Sequence, residues 1–373
     1  MQYSKVCLES FGYVLPEEVV TSVQLESRLA PLYQRLRLPE GRLELMTGIA
    51  ERRFWPVGTL PSEKSVLSAR LALEVADLDP DEIGALIHGS VCRDFLEPAT
   101  ACAVHQSLGL PDQCVIYDTS NACLGLLSGM LQIANMIELD QVKAGLVVGT
   151  ESSRQLVDTT IDALNSNEIL TRKTIKPALA SLTIGSGSCA MLLVHEDLSR
   201  TGNRLRGAAV KANTAFHHLC RSDCDEAVGS GMQPLMETDA EQLMAEGIRT
   251  GTETFGDFLN AVSWAPEDIH RVFCHQVGRT HHRLILESIG LSPEVDFSTF
   301  ERLGNTGSVA LPITMAMAAE DGVLDTDLDG GGHVAMLGIG SGINCVMGGC
   351  QWLKSQVGGI RPAWESPTAT VLS

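Results

Sequence analysis

The chain reads as an α/β protein made of two similar halves, on three grounds. Short apolar runs rich in Val, Ile and Leu alternate with longer stretches of helical period, as expected for strands buried between helix layers. The string Ile-Gly-Ser-Gly occurs twice, in TIGSGSCAM (183–191) and GIGSGINCVM (338–347), each time between apolar runs, which points to a duplicated unit. At 373 residues the chain can form either one large α/β unit or two fused halves of ordinary domain size, and it is too long for a small stapled scaffold.

In chain order, helical spacing predicts a helix over 65–77, and the apolar run ALIHGSV predicts a strand over 85–91. The strand-like run from Cys114 to Asp118 gives way to a helix over 122–137, whose Gly125 and Gly129 lie on one face and admit a close neighbour. AGLVVGTE (144–151) and SCAMLLVH (188–195) are further strands, and the seam between halves falls near residues 197–204. The helix over 239–261 opens with Thr238 and Glu241 at capping-box spacing. DIHRVFCHQ (268–276) is a strand, followed by helices over 279–289 and 307–320 and by the strand HVAMLGIG (333–340). The paired glycines of each Ile-Gly-Ser-Gly string suit a tight link between adjacent strands. RPAWESPTATVLS (361–373) has two prolines and little periodicity and reads as a loose tail.

Composition narrows the function. A net charge of −19 argues against nucleic acid, whose affinity comes largely from Lys and Arg neutralising phosphates. No apolar run reaches the roughly 18 residues of a membrane span, and the first residues lack a secretory signal. Eleven scattered cysteines, an odd number, fit reduced thiols and a cytoplasmic location. Between residues 35 and 53, Arg35, Arg37, Arg42, Arg52 and Arg53 outnumber the acids; this is either a solvated face or a landing site for a phosphorylated ligand.

A helix starting near Ala122 would place Cys123 in its first turn, where free amides and the macrodipole favour a thiolate. Cys123 is then either a nucleophile or a small cysteine in a tightly packed helix, and its partners decide. His275 ends a strand-like run, at the sheet edge where ligand crevices form in parallel sheets, and Asn305 begins the glycine-flanked GNTGSVALP. A histidine to manage protons and an amide to hold developing charge are what a thiolate nucleophile uses.

These motifs resemble the ketoacyl synthase III branch of the thiolase superfamily over nearly the whole chain. TGIAERRF (47–54) is similar to its TGI-x-ER segment, ACLG (122–125) to its nucleophile turn, HQ and GNTGS to its histidine and asparagine loops, and GIGSG to its oxyanion loop. The tryptophan that many members place before TGI is absent. The resemblance implies a five-layered αβαβα sandwich of two βαβαβαββ halves, residues 1–200 carrying Cys123 and residues 201–373 carrying His275 and Asn305. It further implies a homodimer, acyl thioester substrates, and no metal or redox cofactor. Cys123 would accept an acyl group, His275 and Asn305 would hold the second thioester carbonyl, and the amides of Cys123 and Ser341 would hold the oxyanion. Arg52, Arg53, Gly340 and Gly342 would contact substrate.

Two condensations are compatible with that framework. Malonyl-using 3-oxoacyl-acyl carrier protein synthases obtain their carbanion by losing carbon dioxide and need no strong base. Joining two plain acyl thioesters needs one, because the α proton is only weakly acidic. Glu97, in RDFLEPAT (93–100), resembles the glutamate that OleA-type enzymes, which join two fatty acyl-CoAs head to head, deliver from the partner subunit. HHLCR (217–221), CHQVGRTHH (274–282) and DFSTFERLGNTGSVALP (296–312) are also similar to that group, so a non-decarboxylative Claisen condensation through an acyl-cysteine is expected. Segment 151–182 and helix 239–261 would line the alkyl channels. HHLCRSDC (217–224) lacks the second ligand pair of a zinc site, so no metal is expected. A non-catalytic member is disfavoured because all four polar groups are present, and His281 and His282 are read as surface residues.

Overall fold

The computed structural model describes residues 1–222, 235–328 and 330–362. Among them ten strands form one sheet: β1 (Val6–Val14), β2 (Ile83–Gly89), β3 (Val115–Thr119), β4 (Ala144–Glu151), β5 (Gly187–His195), β6 (Arg204–Ala212), β7 (Ile269–Cys274), β8 (Gly332–Gly340), β9 (Asn344–Trp352) and β10 (Val357–Ile360). The order is β7-β8-β9-β6-β1-β5-β4-β2-β3, with β10 parallel to β1. Outward from the middle, both directions repeat one pattern. β1 meets antiparallel β5, which meets antiparallel β4, then parallel β2. β6 meets antiparallel β9, which meets antiparallel β8, then parallel β7. The counterpart of β3 in the second half is a single bridge between Val272 and Asp296. β1 and β6 share one register pair, Cys7 with Arg204, and there the halves join.

Helices α1 (Pro61–Ala76), α2 (Thr100–Leu108), α3 (Gly125–Glu138), α4 (Arg154–Ser166), α5 (Ala240–Val262), α6 (Arg279–Ile289) and α7 (Ala310–Glu320) complete the layers. α1 and α2 cover the first half from outside, packing Ala69, Leu73 and Val104 on Leu146, Val148 and Leu192. α5 and α6 cover the second, packing Phe258 and Ile285 on Val272 and Leu337. Between the two halves of the sheet lie α3 and α7, where Met130, Ile133, Ile313 and Met317 meet Val147, Met191, Met336 and Val346. This is the five-layered, thiolase-like arrangement that the resemblance implies.

Apolar patterning follows from the layering. Along β4, Leu146 and Val148 face the outer helices while Val147 faces the central pair, so no strand position is left for water. α7 is buried from Ala310 to Ala319 and is apolar all round for the same reason. Each such Val, Leu or Ile contributes about 1.5–3 kcal/mol on burial. A satellite core under short helices between Ser22 and Thr47 joins Leu25, Leu29 and Leu32 to Val157 and Ile161 of α4.

Differences from expectation are local. α3 begins at Gly125, so Cys123 lies ahead of the helix rather than in its first turn. The cause is a turn in which Ala122 takes a positive φ of 46° and the Leu124 N–H donates to the Asn121 carbonyl. α5 is capped by Asp239, which accepts from the Gln242 N–H; Thr238 ends a short strand instead. Residues 307–309 form a separate 3-10 turn before α7. Only the second Ile-Gly-Ser-Gly string makes a tight strand link, between β8 and β9; the first closes a long connection from β4 that includes α4. Residues 363–373 of the expected tail lie outside the described residues, as do Asp223 and Cys224 of HHLCRSDC.

Candidate active site

Cys123 stands where β3 hands over to α3. Gly125 of that helix is pressed on Gly89: a Cβ on either would come within 2.7 Å of the other's backbone, which is the close approach that the glycine spacing predicts. The helix therefore seats deeply, and Cys123 projects at its front. Its thiol is pushed up to about 12 by burial, then by Glu151 and by Cys220. The helix-terminus argument predicts a lowered value; the cavity reverses the sign because burial penalises the thiolate and Glu151 repels it.

His275 follows the last residue of β7 and is 4% exposed, and its Nδ1 is buried without a partner among the described residues. Burial, then His281, pushes the imidazole down to about 3, so it is neutral at ordinary pH. The adjacent Gln276 donates to the Cys274 carbonyl at 2.7 Å and accepts from the Thr299 and Phe300 amides at 3.0 and 3.3 Å. It thus ties the histidine strand to the segment leading into Asn305, a positioning role that the motif alone did not disclose.

Asn305 is held on both backbone sides. Its N–H donates to the Thr183 carbonyl and its carbonyl accepts from the Gly185 N–H, both at 2.9 Å. Its side-chain Oδ1 accepts from the Gly307 N–H at 3.0 Å, which leaves the amide nitrogen to act as a donor. Gly340 packs beside Cys123, since a Cβ there would lie 3.7 Å from the cysteine amide.

Cys123, His275, Asn305, Gly340 and Ser341 line one cavity of about 2230 Å³. That exceeds the roughly 300–1,000 Å³ of an ordinary small-molecule pocket and leaves room for more than one chain. Leu156, Ile175 and Leu179 from the 151–182 segment and Leu243 and Met244 from α5 contribute apolar wall, as expected. Leu29, Leu32 and Met46 add a wall that sequence reading did not foresee. Gly342 is not part of the lining; with φ +120° it turns the β8–β9 hairpin.

The arginine pair is a correction. Arg52 is fully buried, donating to the Val20 and Leu182 carbonyls and to Ser22 Oγ at 3.0–3.3 Å. Burial pushes it down to about 10. Arg53, 3% exposed, donates to the Pro16 carbonyl. Neither lines the cavity, because both belong to a strand packed on both faces, so neither can meet a substrate phosphate. The cations that do line it are Arg42, Lys173, Lys176 and Arg279 among others.

Glu97 is exposed, does not line its own chain's cavity, and has no hydrogen bond or ion pair among the described residues. Its loop shows Val91, Phe95 and Leu96 at 52–59% exposure. His281 and His282, expected at the surface, are half-buried: His281 lines the cavity, and His282 pairs with Asp296 at 2.8 Å. Among the described residues, potential metal ligands cluster at Cys274, His282 and Asp296, away from HHLCRSDC.

Known proteins match this architecture. Residues 259–352 fit the family model for the C-terminal part of 3-oxoacyl-[acyl-carrier-protein] synthase III. The chain is 43% identical over 355 residues to an acyl-CoA:acyl-CoA alkyltransferase of Shewanella oneidensis, covering 94% of this chain and all of the relative. It is 32% identical over 352 residues, with the same coverage, to an acyl-CoA:acyl-CoA alkyltransferase of Xanthomonas campestris. Among solved structures it superposes with TM-score 0.87 on cerulenin-bound Xanthomonas OleA, at 32% identity, covering 94% of this chain and 98% of that one. A cysteine-to-serine form of that protein, with bound lauric acid and lauroyl-CoA, matches at TM-score 0.86 and 32% identity, covering 94% of this chain and all of that one.

Proposed function

This chain belongs to the acyl-CoA:acyl-CoA alkyltransferase family, and from that premise we propose that it condenses two long-chain acyl-CoAs head to head, without decarboxylation, to a 2-alkyl-3-oxoacyl thioester. The observation that carries the reading is a wide, apolar-walled cavity onto which Cys123, His275 and Asn305 all open.

In the first stage the Cys123 sulfur attacks one thioester carbonyl. The bond to coenzyme A breaks, the thiol proton goes to the departing thiolate, and an acyl-cysteine remains. The amides of Cys123 and Ser341 hold the oxyanion as it forms. In the second stage Glu97 takes the α proton of another acyl-CoA, whose carbonyl is held by the neutral His275 and the Asn305 amide nitrogen. The enolate then attacks the acyl-cysteine, the new carbon–carbon bond forms as the bond to sulfur breaks, and Cys123 leaves as a thiolate that takes up the proton Glu97 removed, restoring both groups. Coenzyme A thioesters are the substrates, and the chemistry needs no metal or redox cofactor. Cations at the cavity, Lys173 and Lys176 among them, take the nucleotide phosphates in place of Arg52 and Arg53.

Glu97 acts from a partner subunit of a homodimer. Support comes from its absence from its own cavity and from the exposed apolar residues of its loop. β3, a sheet edge among the described residues with Val115 44% exposed, offers a pairing surface nearby. Structures of Xanthomonas OleA with the cysteine or a glutamate replaced separate those two positions by the same number of residues as Cys123 and Glu97. Residues 1–200 and 201–373 act as the cysteine half and the histidine–asparagine half. The protein works in the cytoplasm, in keeping with the lack of any helix, among the described residues, long and apolar enough to cross a membrane.

The test offers purified protein a saturated long-chain acyl-CoA alone, then with malonyl thioester, following released thiol and product mass. Product from acyl-CoA alone supports the reading; dependence on malonyl would restore decarboxylative synthesis, which is not favoured. Glu97→Ala should still be acylated while forming no carbon–carbon bond.

A further inference from the structure

We propose that Glu151 is a positioning residue for the carbon–carbon bond-forming stage, clamping the loop that carries Glu97 to the loop that carries Asn305. The roles of Glu97 and Asn305 in this statement rest on the function proposed above.

Glu151 ends β4 and is 6% exposed, yet it lines the cavity. One carboxylate oxygen, Oε1, gathers donors from two loops. The Val91 N–H, at the root of the Glu97 loop, donates to it at 3.2 Å. The Ser308 N–H donates at 3.3 Å and the Ser308 hydroxyl also donates. Ser308 adjoins Gly307, whose N–H holds the Asn305 side-chain oxygen. Gly307 has φ +58°, and a Cβ there would come within 3.0 Å of the Glu151 carboxyl carbon, so carboxylate and loop are fitted to one another. An oxygen already accepting from three donors is committed to holding loops rather than abstracting a proton.

The same side chain acts on Cys123 through its charge. After burial, Glu151 is the largest influence holding that thiol up. The cavity wall also carries, among other titratable groups, Cys92, Asp118, Cys220, His275 and His281, with Arg93 and Arg154 among its cations. Glu151 thus favours a protonated Cys123 in the empty site and aligned second-stage groups in the acylated one.

The experiment uses Glu151→Gln, which keeps the shape and removes the charge. Condensation measured by product mass should fall roughly tenfold, because the amide oxygen still accepts from Val91 and Ser308 but without the strength that the carboxylate charge lends those bonds. Single-turnover release of coenzyme A on acylation should fall far less. The pH profile of Cys123 alkylation by iodoacetamide should move to lower pH, a change that needs no assumption about substrate. Glu151→Asp, which keeps the charge and shortens the reach, should retain the alkylation profile yet lose condensation. Should Glu151→Gln fail to fold, Ser308→Ala removes one donor alone and should lower condensation roughly tenfold with acylation kept. Equal loss of acylation and condensation, or unchanged partition between them, would overturn the proposal. An unmoved alkylation profile in Glu151→Gln would remove its electrostatic part while leaving the function reading untouched.

Discussion

The two Ile-Gly-Ser-Gly strings differ in surroundings but do reciprocal work. The first, in the cysteine half, pairs with Asn305: Ile184 and Asn305 form a parallel bridge, and a Cβ on Gly185 would stand 1.9 Å from the Leu303 carbonyl oxygen. The second, in the other half, lies against the cysteine turn: a Cβ on Gly340 would meet the Leu124 side chain at 3.0 Å and the Cys123 amide at 3.7 Å. Each string thus seats the reactive loop of the opposite half. The first meets rigid backbone and the second a side chain that can shift. The difference teaches that a repeated motif can keep its place in a duplicated scaffold while its tolerance is set by what the other half brings against it.

The sharpest break in this symmetry is Cys123→Ala, which removes the proposed acyl acceptor. Intact-mass spectrometry of quenched protein should show no acyl adduct and no product should accumulate; an adduct elsewhere during turnover would falsify the two-stage scheme. Asn305→Ala strikes the loop seated by the first string. We expect the adduct to persist while condensation drops roughly 10²–10³-fold, as when one oxyanion donor is lost. Next come the glycines themselves. Gly185→Ala should cost about 1–3 kcal/mol of stability from overpacking and depress condensation more than acylation. Gly340→Ala should cost less and act mainly on acylation; a reversed order in melting temperature and burst kinetics would undo the comparison. The smallest effects separate support from binding. Arg52→Ala strips the Leu182 carbonyl, just ahead of the first string, of its donor and should cost about 1–3 kcal/mol in denaturant titration without raising KM. Lys176→Ala should raise KM for acyl-CoA several-fold without moving the melting temperature.

Much of this was legible in advance. The strand predicted at 144–151 and the helix at 279–289 coincide with β4 and α6, because uniform burial writes a run and one-sided burial writes a 3.6-residue period into local sequence. Cys123, His275 and Asn305 carry signals of residue type and element end, and the cavity brings all three together. Arg52 and Arg53 misled because charge is visible in a sequence while its direction is not: alternate residues of a strand point to opposite faces, and here both faces are covered. His281 reads in sequence as a surface residue and Glu151 is given no role there, since nothing local marks a polar side chain as facing a cavity; Glu151 meets Ser308 across 157 residues of chain.

By itself, then, the sequence determined the alternation of strand and helix, the repeated string, and the residue types and element ends that make Cys123, His275 and Asn305 candidates, all of which depend on patterns within a few residues; the five layers and the roles of the three came from the family resemblance. Tertiary structure alone decided that the Cys123 thiol is held up rather than down, which cations meet the cavity, and that each glycine string serves the opposite half. The physical reason is that burial, the sign of a pKa shift and the space beside a glycine are set by neighbours distant in the chain.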